Sequence, residues 1–401
     1  MIQTVSMAFL PDKQIASVKL QIEHRFSIKN MVLSENREVF GNASTLDLST
    51  PNQAVNNPSL QIQQTPTVPM EAADFFKHGL EKFNRGEYRA ALEDFNQALR
   101  INPNLAEAYH YRAMSRHKKG DHPGAIQDYS EVLRINPNHA EAYHNRGFVR
   151  TELGDRWGAM QDYNQALEID ARHIKAYLNR SSLRLELEDY KGAIADCNTV
   201  LSINANLAKA YLTRGLAHYE VEDYQKAIED YNQALTINPN IAEAYLNRGL
   251  NLIALEKYEN AIADFSQAIE LNPSYIQAYL NRGYTRMQQG DNWGSIEDFD
   301  QALKIDSVAA KAFFNHMAHA FQAEQGAFVD DNQQLIQGLI IQGNLRYESG
   351  DYQAAVNAYN QALNLDPNHI EAYNRRSTVR SALGDYEGAL ADLDKAKSLS
   401  F

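Results

Sequence analysis

The sequence predicts an all-α solenoid of antiparallel helix pairs. Three observations predict it: a 34-residue period, large and small residues alternating at fixed places within that period, and turn-forming residues at fixed points in each unit. An aromatic residue followed by Asn-Gln-Ala-Leu recurs at Phe95 to Leu99, Tyr163 to Leu167, Tyr231 to Leu235 and Tyr359 to Leu363. A unit of this length accommodates two helices of about three to four turns with two tight turns, and it cannot bury its own apolar face. Stacking on neighbouring units is therefore the fold.

Units begin at Ala72, Ala106, Ala140, Ile174, Ala208, Ala242 and Ile276, and in-phase units begin again at Ile336 and Ile370. Counting slots from each start, slot 4 reads Phe75, Tyr109, Tyr143, Tyr177, Tyr211, Tyr245, Tyr279, Leu339 and Tyr373. Slot 20 reads Ala91, Ala125, Ala159, Ala193, Ala227, Ala261, Ser295, Ala355 and Ala389. Large residues face small ones where helices approach closely.

The first helix of a unit is expected to start at Asn104, Asn138, Asn240 and Asn368, each placed three residues before a glutamate (Glu107, Glu141, Glu243 and Glu371) in capping-box spacing. The second starts at Gly120-Asp121, Gly154-Asp155, Gly290-Asp291, Gly350-Asp351 and Gly384-Asp385, a left-handed C-cap followed by an N-cap. It stops near Pro103, Pro137, Pro239, Pro273 and Pro367, because proline cannot continue a helix.

With the slot-4 aromatics, Gly79, Gly147, Gly215, Gly249, Gly283 and Gly343 at slot 8, and Ala, aromatic, Ala and Pro at slots 20, 24, 27 and 32, residues 72 to 401 resemble the tetratricopeptide repeat. The Ala-Tyr-Leu-Asn-Arg-Gly form at 244 to 249 and 278 to 283 is similar in style to repeats common in cyanobacterial proteins. The resemblance implies a right-handed superhelical solenoid whose first helices line a concave groove, with slots 2, 5, 6, 9, 12 and 13 facing inward. It also implies peptide or protein partners.

The domains expected are a disordered N-terminal arm and linker over 1–71, seven repeats over 72–309, a degenerate partial repeat over 310–335 and two repeats over 336–401. A solenoid grows by layers, so 401 residues do not count domains. The net charge of -13 lies almost wholly in the array, since residues 1 to 71 carry five basic and six acidic side chains. Nucleic acid is a poor partner for such a surface. No apolar run reaches the length of a membrane span and the first ten residues have no basic segment, so the chain reads as soluble, unexported and cytoplasmic. The single cysteine, Cys197, excludes an internal disulfide framework, and its place at slot 24 reads as a buried packing thiol.

Residues 41 to 70 contain Asp47 as their only charge, with Pro51, Pro58, Pro66 and Pro69 among polar residues, which reads as a disordered linker. Upstream, Val18, Leu20, Ile22, Phe26 and Ile28 alternate with polar residues as in a strand. Three explanations compete, translation starting near Met31 or Met70 rather than Met1, a segment that adds to a partner's sheet, or an unstructured arm that docks on the array, and the arm without fixed structure is the one favoured. Between Ala310 and Leu335 a first helix with Phe313, Phe314, Met317 and Phe321 is recognisable, but its second helix is missing or distorted, so the array is expected to bend there. Alternatively, Asp330 and Asp331 cap a longer helix through Ile336 and Ile340. At the far end Val379, Ala382, Leu390 and Leu393 are expected to leave a partly open flank.

Function is sought on the inward slots. Asn145, Asn179, Asn247, Asn281 and Asn315 occupy slot 6, interrupted by Thr213. A carboxamide both donates and accepts, so it can bridge a peptide's N–H and C=O whatever the side chain. The column is similar to the asparagine ladder of the O-linked N-acetylglucosamine transferase superhelix, without any catalytic domain. Beside it, Leu178, Leu212, Leu246, Leu280 and Phe314 at slot 5 and Leu185, Tyr219, Ile253 and Met287 at slot 12 form an apolar stripe. Some of this stripe is core, and the remainder is expected to line the groove. The pattern of carboxylate-clamp adaptors fails: Asn145 and Lys175 fit two places, while His110, Met114 and Asn179 stand where others are required.

Arg112, Arg146, Arg180, Arg214, Arg248, Arg282 and Arg376 at slot 7 share their units with Asp128, Asp162, Asp196, Asp230, Asp264, Asp298 and Asp392 at slot 23. Both are lost together as Gln342 and Ala358, which points to a structural pair between helices. His110, His117 and His144 show no converging ligand pattern, so no metal or other cofactor is expected. No phosphate loop, nucleophile elbow or His-Glu-x-x-His spacing is present. The sequence reads as a non-catalytic scaffold that binds protein or peptide partners. The alternatives are a self-assembling protein that forms homo-oligomers or filaments through its C-terminal end, and the targeting subunit of an enzyme complex.

Overall fold

A computed structural model describes residues 70–310, 313 and 331–400, and every regular element among them is a helix. The described residues fall into two compact units, one ending at Ala205 and the other beginning at Asn206. In the first, first helices α1 (Ala72–Asn84), α3 (Ala106–Lys118), α5 (Ala140–Glu152) and α7 (Ile174–Glu186) alternate with second helices α2 (Tyr88–Ile101), α4 (His122–Ile135), α6 (Arg156–Ile169) and α8 (Tyr190–Ile203). In the other, α9 (Ala208–Glu220), α11 (Ala242–Ala254), α13 (Ile276–Gln288), α15 (Asp331–Glu348) and α17 (Ile370–Ala382) alternate with α10 (Tyr224–Ile237), α12 (Tyr258–Leu271), α14 (Asn292–Ile305), α16 (Tyr352–Leu365) and α18 (Tyr386–Ser398). Except for α15, every first helix opens at the residue the 34-residue register predicts. Within each unit, every helix packs on its sequence neighbours.

The core repeats with the period. Ala91, Ala125, Ala159, Ala193, Ala227, Ala261 and Ala355 at slot 20 are fully buried, and beside them Phe95, Tyr129, Tyr163, Tyr231, Phe265 and Tyr359 fill slot 24. Cys197 replaces the ring at slot 24 of its repeat and is fully buried, as a packing thiol should be. The slot-8 glycines let these rings lie against the first helix: a Cβ on Gly249 would stand 2.6 Å from Phe265 Cε1.

Second helices begin as expected. Asp121, Asp155, Asp189, Asp291 and Asp385 are N-caps that accept from the backbone N–H three residues on. Gly120, Gly154, Gly290, Gly350 and Gly384 hold φ near +80° just before Asp121, Asp155, Asp291, Asp351 and Asp385. First helices begin differently from the capping-box expectation. Their N-cap is the residue directly before the helix, Leu105, His139 or Ile241, while Asn104, Asn138 and Asn240 lie one position earlier in the turn. The asparagine that bonds is two residues further upstream: Asn102, Asn136 and Asn238 accept from the backbone N–H of Asn104, Asn138 and Asn240. Where the cap is His139, His173 or His369, its Nδ1 accepts from the N–H of the third helical residue.

The long-helix alternative describes α15, which starts at Asp331, runs 18 residues and buries Ile336 and Ile340. At the far end Val379 is buried, a correction to the open-flank expectation, because it packs with Ile336, Val356 and Tyr359. Leu390 and Leu393 are exposed. The alternating segment 18–28, the linker 41–69, the alternative start at Met31, and Phe314, Asn315, Met317 and Phe321 lie outside the described residues.

Candidate functional site

The first helices are fixed in register by the arginine of slot 7. In all seven repeats that carry the pair, Nε and Nη2 donate to both carboxylate oxygens of the aspartate sixteen residues on, at 2.5–3.0 Å. Six of them also reach back from Nη1 to Asn96, Ser130, Asn164, Asn232, Ser266 or Asn360 on the second helix of the preceding repeat. Each guanidinium lies 5.2–5.7 Å from the ring of the slot-4 tyrosine. One planar fork thus ties three helices together, which a lysine could not do.

A second arginine, at slot 11, joins the same aspartate. Arg116, Arg150, Arg184, Arg286 and Arg380 place Nη1 on the same buried aspartate at 2.8–3.1 Å. They also donate to the carbonyls of Gly124, Gly158, Gly192, Gly294 and Gly388. The signal was present in the sequence, because every arginine at slot 11 stands five residues before an aspartate, Asp121, Asp155, Asp189, Asp291, Asp351 or Asp385, with which it also pairs.

The slot-6 carboxamides are buried: Asn145, Asn179, Asn247 and Asn281 all keep under a tenth of their surface. Three of them are engaged internally. Asn145 Oδ1 can only accept, so His144 Nδ1 donates to it at 3.0 Å, and Asn179 Nδ2 donates to His144 Nε2 at 3.0 Å. Asn281 Nδ2 donates to the carbonyl of Gln277. The apolar stripe is corrected more strongly. Leu185, Leu212, Tyr219, Leu246, Ile253 and Leu280 are buried, and the last five pack in the core clusters between helices. Leu178 and Met287 remain half-buried.

His110, His117 and His144 do not converge on one another; each has a different histidine partner. His110 stacks on His139 at 5.2 Å between ring centroids, His117 meets His122, and His144 lies 4.9 Å from His173. Burial lowers the pKa of His110, His117 and His144 to about 4, with a neighbouring histidine adding to the effect in each case. His173 accepts at Nδ1 from the backbone of Ala176, so its Nε2–H donates to Glu141 at 3.0 Å. Burial would raise the Glu141 carboxyl, but that hydrogen bond and the neighbouring His144, Lys175 and His173 outweigh it and hold the group at about 2. Sequence reasoning also passed over Trp157 and Trp293, at slot 18 of two repeats, which are 74% and 64% exposed.

Family models described as tetratricopeptide repeat or TPR repeat match residues 79–241, 250–308 and 343–401. The chain belongs to the tetratricopeptide-repeat family. Among curated relatives it is 39% identical over 77 residues to tetratricopeptide repeat protein 36 of Danio rerio, a stretch that covers 19% of this chain and 41% of that protein. It is 37% identical over 57 residues to Hsp70-Hsp90 organizing protein 2 of Arabidopsis thaliana, covering 14% of this chain and 10% of that protein. The chain therefore spans less than half the length of either relative. Among solved structures, the C-terminal part of a TPR repeat-containing protein from Cytophaga hutchinsonii matches with a TM-score of 0.50 and 19% identity, over 59% of this chain and 98% of that one. That likeness shows the fold of this TPR chain. Among the described residues, no helix is long and apolar enough to cross a membrane.

Proposed function

We propose that this TPR chain is a non-catalytic protein-interaction scaffold that holds peptide segments of partner proteins against its first helices. The observation that carries the reading is one slot-6 carboxamide per first helix in consecutive repeats: Asn145 with Asn179 in one unit, and Asn247 with Asn281 in the other. The slot-7 arginines hold that spacing. Most of the slot-5 and slot-12 side chains are core, so apolar contact comes from Leu178 and Met287 and register from the carboxamides. A net charge of -13 favours basic or neutral segments over nucleic acid.

Affinity capture with the full chain, followed by mass spectrometry, compares wild type with Asn179→Ala, Asn247→Ala and Asn281→Ala combined. Proteins lost with the substitutions, while the melting curve stays cooperative, support a peptide-binding face. The same partners captured by both proteins remove the carboxamides from the reading.

A second reading rests on α18, where Tyr386 is 73% and Leu390 60% exposed. This apolar face is suited to contact another copy of the chain. Light scattering that gives a monomer mass at every concentration removes it.

A further inference from the structure

In three repeats slots 12 and 17 bring together an aromatic pair: Phe83 with Tyr88, Tyr219 with Tyr224, and Tyr347 with Tyr352, at 5.5–5.8 Å between ring centroids. In the repeat that opens at Ala106 the same two positions are His117 and His122, at 5.2 Å. Their Nδ1 atoms turn toward each other at 3.3 Å. The last residue of α5, Glu152, brings Oε2 to 3.3 Å from His117 Nδ1 and 3.7 Å from His122 Nδ1. Three ligand atoms from two successive repeats therefore enclose one point.

Those separations match a known geometry. Ligand atoms about 2.0–2.1 Å from a tetrahedral zinc ion lie about 3.3 Å from one another. Two imidazoles and one carboxylate are a ligand set that suits Zn²⁺. The ligands also differ in depth. His117 is nearly buried and its ring is held edge-on by Phe148 at 5.7 Å, whereas Glu152 is at the surface, which leaves an approach from solvent. Lys118 adjoins His117 and opposes a cation; the Glu152 carboxylate offsets it.

The other cluster of this kind, Glu141, His144 and His173, does not carry the same argument. There both nitrogens of each ring are committed: His144 to Asn145 and Asn179, and His173 to Ala176 and Glu141. The distance from His144 Nδ1 to Glu141 is 4.0 Å. A cation would have to break this network.

We propose that His117, His122 and Glu152 form a site for a divalent transition-metal ion, Zn²⁺ by preference, that staples the repeat at Ala106 to the one at Ala140. Three protein ligands leave a fourth position for water. The ion closes the gap between the end of α3, the start of α4 and the end of α5, so its binding adds to the stability of the first unit.

The test is titration of the untagged, chelator-stripped full chain with Co²⁺, read by the visible bands of tetrahedral cobalt and by displacement with Zn²⁺. The expected result is one equivalent bound and a rise in melting temperature that saturates with Zn²⁺. His122→Tyr restores the aromatic that other repeats carry at slot 17, and it is expected to weaken binding by more than about 10-fold, as is Glu152→Gln. Glu141→Gln, in the other cluster, is expected to bind as wild type does. Wild type that binds no metal, or binding unchanged in both His122→Tyr and Glu152→Gln, overturns the proposal; so does loss of binding in Glu141→Gln. Melting curves of each variant without metal establish that it is folded.

Discussion

Arg282 grips Asp298 through two parallel bonds, Nε to Oδ2 at 3.0 Å and Nη2 to Oδ1 at 2.6 Å, with the aspartate almost entirely out of water. Burial raises the Asp298 pKa even though Arg282 and Arg286 both pull it down. Arg282→Ala removes one of two countercharges and leaves the buried carboxylate with Arg286 alone, at a cost of at most about 3–5 kcal/mol, the figure for a fully broken buried pair. Arg282→Lys recovers only part of this, since an ammonium cannot reach Asp298 and Ser266 together in the fork geometry. The stability deficit of the alanine variant shrinks as pH falls, because protonation of Asp298 removes the buried charge. Thermal melts at neutral and acidic pH read both effects, and a deficit that grows on acidification would contradict the account.

Gly249 faces Phe265 so closely that a Cβ would stand 2.6 Å from the ring edge. Elsewhere in the chain the two slots change together: Ser181 lies in the repeat with Cys197, and Ser377 in the repeat with Leu393. Ala113 alongside Tyr129 shows that one methyl can be accommodated beside a ring at these slots. Gly249→Ser is therefore expected to cost about 1–3 kcal/mol by overpacking, and Phe265→Cys about 3–5 kcal/mol by leaving a cavity. The double variant should lose less than the sum by at least about 1 kcal/mol. Denaturant unfolding of the four proteins measures the coupling, and strict additivity would show that the two slots do not constrain each other.

How much of this was legible in the sequence depends on whether a residue repeats. The helix starts at Ala106 and Ala140, the Gly120-Asp121 turn and the Arg282 to Asp298 pair were all readable, since each recurs every 34 residues under the same steric and electrostatic demand. The capping role given to Asn104 was displaced by one residue. An asparagine that caps a helix and one that closes an Asx turn differ only in backbone angles, which spacing does not encode. The burial of Leu246 and Leu280 was misjudged because a 13-residue helix touched on two sides buries a wider stripe than its period shows. His122 and Glu152 were missed because a cluster made from three slots of two repeats has no periodic signature at all.

Glu188, Glu222 and Glu256 adopt φ of 57–61° in the turn where other repeats place glycine. A side chain in the left-handed region costs about 1–2 kcal/mol, partly offset by the extra freedom of glycine in the unfolded chain. Glu256→Gly is accordingly expected to stabilise by about 0.5 kcal/mol, and Glu256→Val to destabilise, since a β-branched residue tolerates this region least. Melting temperatures of the two variants should move in opposite directions; a drop in both would place the contribution of Glu256 in its side chain rather than its backbone.

His144 sets the last expectation, a loss of stability on mild acidification. Its Nδ1–H donates to Asn145 and its Nε2 accepts from Asn179, so the buried ring is neutral with both nitrogens occupied. Burial lowers its pKa from 6.5 to about 4, so the unfolded chain binds the proton more tightly than the folded one. The stability this group contributes is fully present above pH 6.5 and is lost progressively as pH falls toward 4. His110 adds to the same slope, with a pKa likewise lowered to about 4. His144→Leu, the residue that Leu178, Leu212, Leu246 and Leu280 supply at this slot, removes one titrating group while keeping the site apolar. Melting temperature plotted against pH between 7 and 4 should fall less steeply in the variant. Parallel curves would mean that His144 takes up its proton equally in both states and that another buried group drives the slope.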